Sequence, residues 1–117
     1  MRCNIELLDS NHNAWFTGTR DLPADYMLKL AAERKPAVMA QGLEFAQNAI
    51  PFFGGQLVKV VKAGGSEDQI DKAVIEFALA TVVVESCLGV SDEDLLGRHF
   101  NLVVYDDGLV RYDRLDA

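Results

Sequence analysis

The sequence has too few cysteines for a disulfide framework and no apolar run long enough to cross a membrane. Its two cysteines, Cys3 and Cys87, lie far apart in a chain of 117 residues, and a chain of this size buries a core without covalent cross-links. We therefore expect both thiols to be reduced, with Cys87 in the core on a helix. The opening residues, MRCNIELLDSNHN, lack the apolar segment of a signal peptide. Without it, and without an apolar run of ~20 residues, a cytoplasmic location is expected.

Positive charge is also in short supply. The chain carries 11 Lys and Arg residues against 18 Asp and Glu residues, for a net charge of -7. Such a field repels phosphate backbones, so the sequence predicts no direct binding to nucleic acid, and it predicts no membrane binding. A basic surface on another protein would instead be attracted. Half of the residues are hydrophobic and a quarter are charged, which is typical of one globular domain over residues 1–117.

Motifs that carry catalysis or bind cofactors are absent as well. The glycine pairs in FFGGQLVKVV and AGGSEDQI lack the Gly-Lys-Ser/Thr sequence of a phosphate-binding loop. His12 and His99 have no carboxylate or thiolate at metal-ligand spacing, and the acidic clusters do not match a calcium loop. No serine lies in a G-x-S-x-G elbow. The sequence therefore predicts no cofactor, no metal and no catalytic residue.

Alternating residues near the beginning predict a β-hairpin. In RCNIELL, Cys3, Ile5 and Leu7 share one face, and the segment AWFTGTR follows after the polar turn DSNHN.

A second hairpin is predicted near the end, where FNLVVY and VRYDRL flank an Asp-Gly turn. Asp107–Gly108 is expected to form a two-residue type I′ turn. That turn would pair Val103 with Tyr112 on the core face. Leu102 and Val104 would then lie on the second face, where another surface could cover them.

Helical periodicity occupies the middle of the chain. A first helix is predicted from Pro23, and Pro36 is expected to stop or bend it. A second helix is predicted over AVMAQGLEFAQNAI, with Pro51 and Gly54–Gly55 at its end as a hinge. The following stretch, 56–62, is compatible with a short strand or a helix, and helix is preferred.

The clearest helix is predicted from Ser66 to the residues before Gly89. Ser66 and Gln69 match a capping box, and Gly89 suits a C-terminal cap. Its second half, FALATVVVESCLG, is apolar almost all round, which predicts burial on several sides. Glu85 lies within that half, either as a buried acid with a raised pKa or with its side chain toward solvent or a dimer partner. The second alternative is preferred. A short helix, DEDLL, should follow.

Together these elements predict an α+β fold in which both hairpins form one antiparallel sheet. Three to four helices would pack on that sheet as a second layer of a single domain. The long helix and the second face of the last hairpin expose more apolar surface than one chain readily covers. A homodimer is therefore expected.

Two functions are compatible with these features. The first is a small acidic, non-enzymatic protein-binding module, such as an inhibitor, immunity or accessory protein of prokaryotic or phage type, that covers a partner surface. Its candidate partner-binding residues are Trp15, Phe52, Phe53, Leu102 and Val104.

The alternative is a small enzyme or ligand-binding protein whose site forms between subunits. Its candidate polar residues are Glu85, Arg98, His99 and Tyr105. A deep pocket lined by two or more of these groups would favour the alternative, whereas a flat acidic or aromatic face would favour the binding module.

Overall fold

A computed structural model describes the backbone of residues 1–116 and every side chain in that range except those of Arg98 and residues 113–116. Its α+β architecture confirms the predicted fold class, with four helices and one four-stranded sheet. In chain order the elements are β1 (Arg2–Leu8), β2 (Ala14–Asp21), α1 (Ala24–Gln41), α2 (Leu43–Lys62), α3 (Glu67–Cys87), α4 (Asp92–Leu96), β3 (Arg98–Val104) and β4 (Val110–Asp116).

The sheet is mixed, so the prediction of an antiparallel sheet is wrong in one respect. Both hairpins form, but they join through β1 and β3, which are parallel, in the order β2-β1-β3-β4. Asp21 at the end of β2 and His99 near the start of β3 both pair with Arg2. The helices thus return the chain to the same end of the sheet at which β2 finished. Because β3 begins at that end, as β1 does, the two strands run parallel.

One face of the sheet packs against the helices. Cys3, Ile5 and Leu7 of β1 are buried there, as the alternation predicts. Because the strands are in register, three buried residues of β3 lie beside them, namely Phe100, Leu102 and Val104.

The predicted register of the last hairpin is wrong by one residue. Leu102 pairs with Tyr112, and Val103 pairs with Arg111. A shift of one residue moves every side chain to the other face. Leu102 and Val104 therefore point into the core, where they are 0% and 3% exposed, and they do not form an outer apolar face.

The turn itself explains the shift. The Tyr105 N–H donates to the Leu109 carbonyl oxygen at 2.8 Å, and the Gly108 N–H donates to the Tyr105 carbonyl oxygen at 3.0 Å. The loop therefore contains three residues instead of two. Only Gly108 has a positive φ, of 88°, as in a type I turn followed by a glycine bulge. The positive φ of Gly108 confirms that part of the prediction.

Helix α2 continues where a hinge was predicted. It passes through Pro51 and Gly54–Gly55 and includes the whole of 56–62, so the preference for helix in that stretch is confirmed. A Cβ atom on Gly54 would lie 2.9 Å from Cγ2 of Val110. The glycine at 54 thus permits the helix to approach the sheet closely. The preceding boundary lies at Gly42, with φ of 98°, rather than at Pro36.

Helix α3 crosses the sheet from one edge strand to the other. At its start, the capping box is present, with Ser66 and Gln69 bonded reciprocally, and Arg20 of β2 binds Asp71 at 2.6 Å. Near its end, Tyr112 of β4 binds Glu85. The sheet covers one side of α3, and α1 and α2 pack against other sides, so Phe77 through Glu85 are all buried.

None of the helices within the described part of the chain is both long and apolar enough to cross a membrane.

Candidate functional site

The outer surface of the helical layer contains a groove between α2 and α3, which we call the α2–α3 groove. The two helices pack as an antiparallel pair, and each contributes side chains at intervals of three or four residues, which lie on one helix face. From α2 the groove is lined by Phe45, Ala49, Phe53, Gln56 and Lys59. From α3 it is lined by Gln69, Lys72, Glu76, Ala80 and Val83. Gln69 and Val83 mark its ends on α3, about 21 Å apart at 1.5 Å per residue.

One end of the groove is apolar. It holds a cavity of about 230 Å³, with small side chains on its floor and Val38 of α1 on its far side. Phe45 is 47% exposed at this end, and Phe52 is 59% exposed beside Phe53. Met39 and Leu43 are also exposed near the junction of α1 and α2. The apolar end is therefore a concentration of large side chains that water still contacts.

The other end carries two lysines. It forms a wider concavity of about 720 Å³ that reaches Gly64 and Gly65, where α2 turns into α3. Lys59 and Lys72 are both exposed there. Among the side chains that the structure describes, neither lysine has a carboxylate oxygen within ion-pair distance.

An ion pair marks the junction of the two ends. Arg34 of α1 contacts Glu76 of α3 through two hydrogen bonds, of 2.8 and 3.1 Å. The hydrogen bond with Glu76 raises the pKa of the Arg34 guanidinium. Because these opposite charges neutralise each other, the groove lining keeps a positive charge from Lys59 and Lys72.

The uncovered face of the sheet is polar and differs in character from the groove. Thr19 donates to Oδ1 of Asn4 at 3.1 Å, and Nδ2 of Asn4 donates to Oδ1 of Asn101 at 3.0 Å. This row crosses three strands and borders a shallow concavity of about 480 Å³ with Glu6 and Arg111 on its lining. Thr and Asn side chains satisfy one another along the row, as expected for a solvated sheet face.

The five predicted partner-binding residues lie in different environments. Phe53 lines both ends of the α2–α3 groove, and the exposed Phe52 does not line it but is in ring contact with Phe53. Trp15 is 39% exposed in a separate cavity, where the Lys62 ammonium lies 5.7 Å from the centre of its ring. Leu102 and Val104 lie in the core, as described above.

The residues of the alternative polar site are not brought together. Glu85 is 4% exposed on the helical side of the sheet, so the preference for a solvent-facing or partner-facing Glu85 is wrong. His99 lies on the uncovered face, in register with Arg2. Tyr105 belongs to the last hairpin loop, where its ring meets that of His12 edge to face at 5.4 Å. The side chain of Arg98 lies outside the described residues.

None of the cavities described for this chain is lined by more than one of those groups. Within the described residues, no three His, Cys, Asp or Glu side chains are grouped to hold a metal ion.

The two thiols differ in environment. Cys3 is fully buried, and burial raises the pKa of its thiol to about 12. Cys87 is only partly buried near the end of α3 rather than a core residue. Both are free thiols.

The groove was only partly visible in the sequence. Phe45, Ala49, Phe53 and Gln56 repeat at helical spacing, but the predicted break at Pro51 and Gly54–Gly55 divides that stripe. Lys59 and Lys72 become neighbours of one groove only through the packing of α2 against α3. No sequence pattern within either helix predicts that packing.

Comparisons with known proteins return no significant similarity to a family model, a curated protein or a solved structure. The geometry of the chain itself therefore carries the functional proposal.

Proposed function

We propose that this protein is a non-enzymatic binding module that covers a surface of another protein through the α2–α3 groove. The observation that carries the proposal is the group of exposed aromatic side chains around an apolar floor. Phe45 is 47% exposed on the lining of a cavity floored by Ala49, Ala80 and Val83, and Phe52 is 59% exposed in ring contact with Phe53 of the same lining. Aromatic anchors beside a preformed apolar hollow are typical of protein interfaces.

The energetics of the apolar end favour an occupant. A fully buried Phe side chain gains about 1.5–3 kcal/mol over one left in water. Phe45 and Phe52 realise only part of that gain in the free chain. A partner that covered both would recover the remainder, and the small floor residues leave space for its side chains.

The charge of the chain supports a protein partner with a basic surface outside the groove. A net charge of -7 raises the local concentration of such a partner. An inhibitor, immunity or accessory protein acts in this way, by binding and covering a surface, and needs no catalytic group of its own.

A homodimer is a separate proposal. The two surfaces from which it was predicted, the second half of α3 and the face with Leu102 and Val104, are buried within one chain. The α2–α3 groove is an exposed apolar surface on which self-association could instead occur. Light scattering at micromolar concentration tests this proposal, and a mass near 12.9 kDa would reject it.

Affinity capture with matched variants tests the binding function. Ala49→Glu introduces a charge at a partly buried helical position in the groove, and Asn48→Glu introduces the same charge at the neighbouring exposed position. The wild-type chain and both variants would be immobilised in a lysate of the source organism, and the captured proteins quantified by mass spectrometry. We expect a protein that is retained by Asn48→Glu and lost with Ala49→Glu. A capture profile that Ala49→Glu leaves unchanged would reject the groove as the docking site.

A further inference from the structure

We propose, building on the binding function above, that the α2–α3 groove receives an amphipathic helix of another protein. We further propose that this helix carries carboxylates at the end that lies against Lys59 and Lys72. The inference names the partner's chemistry and the orientation in which it binds.

The dimensions of the groove match a helix. Its lining runs about 21 Å along α3, which equals the rise of about four helical turns. Residues that line it recur every three or four positions on both α2 and α3, so the groove has two parallel walls. A helix that docks in such a groove inserts anchors at i, i+3 or i+4, and i+7.

The apolar end determines the face of the partner that enters. Apart from Arg34, whose guanidinium is bonded to Glu76, the side chains that line it are all apolar and include Ala49 and Val83. A polar side chain buried here would lose its water without a replacement. The inserted anchors of the partner are therefore aliphatic or aromatic.

The lysine end determines the orientation. Lys59 and Lys72 lie on opposite walls, one on each helix, and neither is paired among the described side chains. The neighbouring lining groups Gln56 and Gln69 are neutral, and Glu76 is already bonded to Arg34. A carboxylate placed between the two lysines would meet two cations, whereas the reversed helix would bring that carboxylate to the apolar end.

The acidic character of the whole chain does not oppose this arrangement at short range. Fields between exposed charges are largely screened beyond about 8 Å at physiological ionic strength. The long-range field therefore affects the rate of encounter with a partner, while contacts with Lys59 and Lys72 decide the bound orientation.

Peptide selection on the full chain tests the inference. A displayed library of helix-favouring peptides of about 18 residues, or ~27 Å when helical, would be selected against the wild type, Ala49→Glu, and Lys59→Glu/Lys72→Glu. Lys29→Glu, on the exposed surface of α1 outside the groove, serves as a control for charge reversal at another site. Circular dichroism melting establishes that each variant folds.

We expect peptides selected on the wild type to share an apolar stripe and Asp or Glu at one end. Ala49→Glu should abolish their enrichment. Lys59→Glu/Lys72→Glu should weaken the binding of a labelled peptide selected on the wild type about tenfold, as measured by fluorescence anisotropy. A selection against the same variant should enrich peptides with basic residues at that end, as expected for paired charges. Lys29→Glu should leave binding of the same peptide unchanged.

Three outcomes would overturn the inference. If the selected peptides lose binding with Ala49→Glu but have no acidic end and do not respond to Lys59→Glu/Lys72→Glu, the proposed carboxylates at the lysine end are rejected. The binding function stands in that case. Failure to enrich any peptide that Ala49→Glu excludes would reject a helical occupant, while the capture experiment still decides the binding function. A dimer of the wild type that Ala49→Glu dissociates would make a second copy the occupant.

Discussion

Tyr112 on the edge strand β4 donates a hydrogen bond to Glu85 near the end of α3, with 2.9 Å between its hydroxyl oxygen and Oε1. Glu85 is 4% exposed, so its carboxyl group depends on partners within the protein. Tyr112→Phe keeps the ring and removes the donor. We expect this change to lower the free energy of unfolding by about 1–3 kcal/mol, measured by urea denaturation.

The matched control is Tyr105→Phe in the hairpin loop, which should have little effect. The double variant Tyr112→Phe/Glu85→Gln should lose less stability than the two single changes added together, because the two groups interact. If Tyr112→Phe costs under roughly 0.5 kcal/mol, the hydroxyl is not an important partner of the buried acid.

The glycine pair within α2 provides a second prediction. A Cβ atom on Gly54 would lie 2.9 Å from Val110, 3.3 Å from Val104 and 3.4 Å from Phe77, whereas one on Gly55 would meet nothing within 4 Å. Gly55→Ala should raise stability by about 0.5–1 kcal/mol, since alanine favours the helix. Gly54→Ala should lower it by about 1–3 kcal/mol through overpacking. Thermal melting of both variants checks the difference, and equal effects would disprove the close approach of α2 to the sheet.

The turn of the last hairpin provides a third prediction. Gly108 has a φ of 88°, which costs a residue with a side chain about 1–2 kcal/mol. Gly108→Ala should therefore reduce stability by that amount, and Gly108→Asn should reduce it less. Gly97→Ala is the control, because Gly97 has a φ of -89° and open space around its Cα. Equal melting temperatures for the two alanine variants would contradict the positive φ of Gly108 in the three-residue turn.

The two thiols provide a fourth prediction. Cys3 is buried, and burial raises the pKa of its thiol to about 12, whereas Cys87 is partly exposed. A thiol reagent should modify Cys87 in the native protein and reach Cys3 only on unfolding, because the thiolate is the reactive form. Absorbance titration of Cys3→Ala and Cys87→Ala assigns each thiol. Rapid modification of both in the native wild type would contradict the placement of Cys3.

The same burial has a pH dependence with a definite sign. In the unfolded chain a Cys thiol loses its proton near its ordinary pKa of about 8.5, while native Cys3 remains neutral up to about 12. The stabilisation is complete below the ordinary pKa and is lost as the pH rises toward the native pKa. Urea denaturation measured from about pH 8 upward should show that the free energy of unfolding begins to decline near ~8.5. Cys3→Ala should reduce this decline.

Features that depend on a few neighbouring residues were predictable from the sequence. The capping box of Ser66 and Gln69 is such a case, because both partners lie within one helical turn. The alternation of Cys3, Ile5 and Leu7 likewise reports which face of β1 is buried. The positive φ of Gly108 follows from the turn residues alone.

Features that depend on residues distant in the sequence were not predictable. Whether Leu102 faces the core depends on a loop of three residues instead of two, and an Asp-Gly pair is compatible with both. The parallel pairing of β1 with β3 depends on the end of the sheet to which three long helices return the chain. The candidate site depends on Lys59 and Lys72 meeting across two helices, so the sequence indicated Phe52 and Phe53 but not the groove.

The central pair of strands also bears on how the protein is made. Asn4 and Asn101 meet across β1 and β3 although 97 residues separate them. At about 5–20 residues per second, the ribosome needs roughly 5–20 s to add that length. Throughout this time the first hairpin has no neighbour to complete its sheet, and its apolar face and open edge are available to chaperones or to nascent copies of the same chain. Assembly of the complete sheet is thus postponed until the helices and β3 have been synthesised.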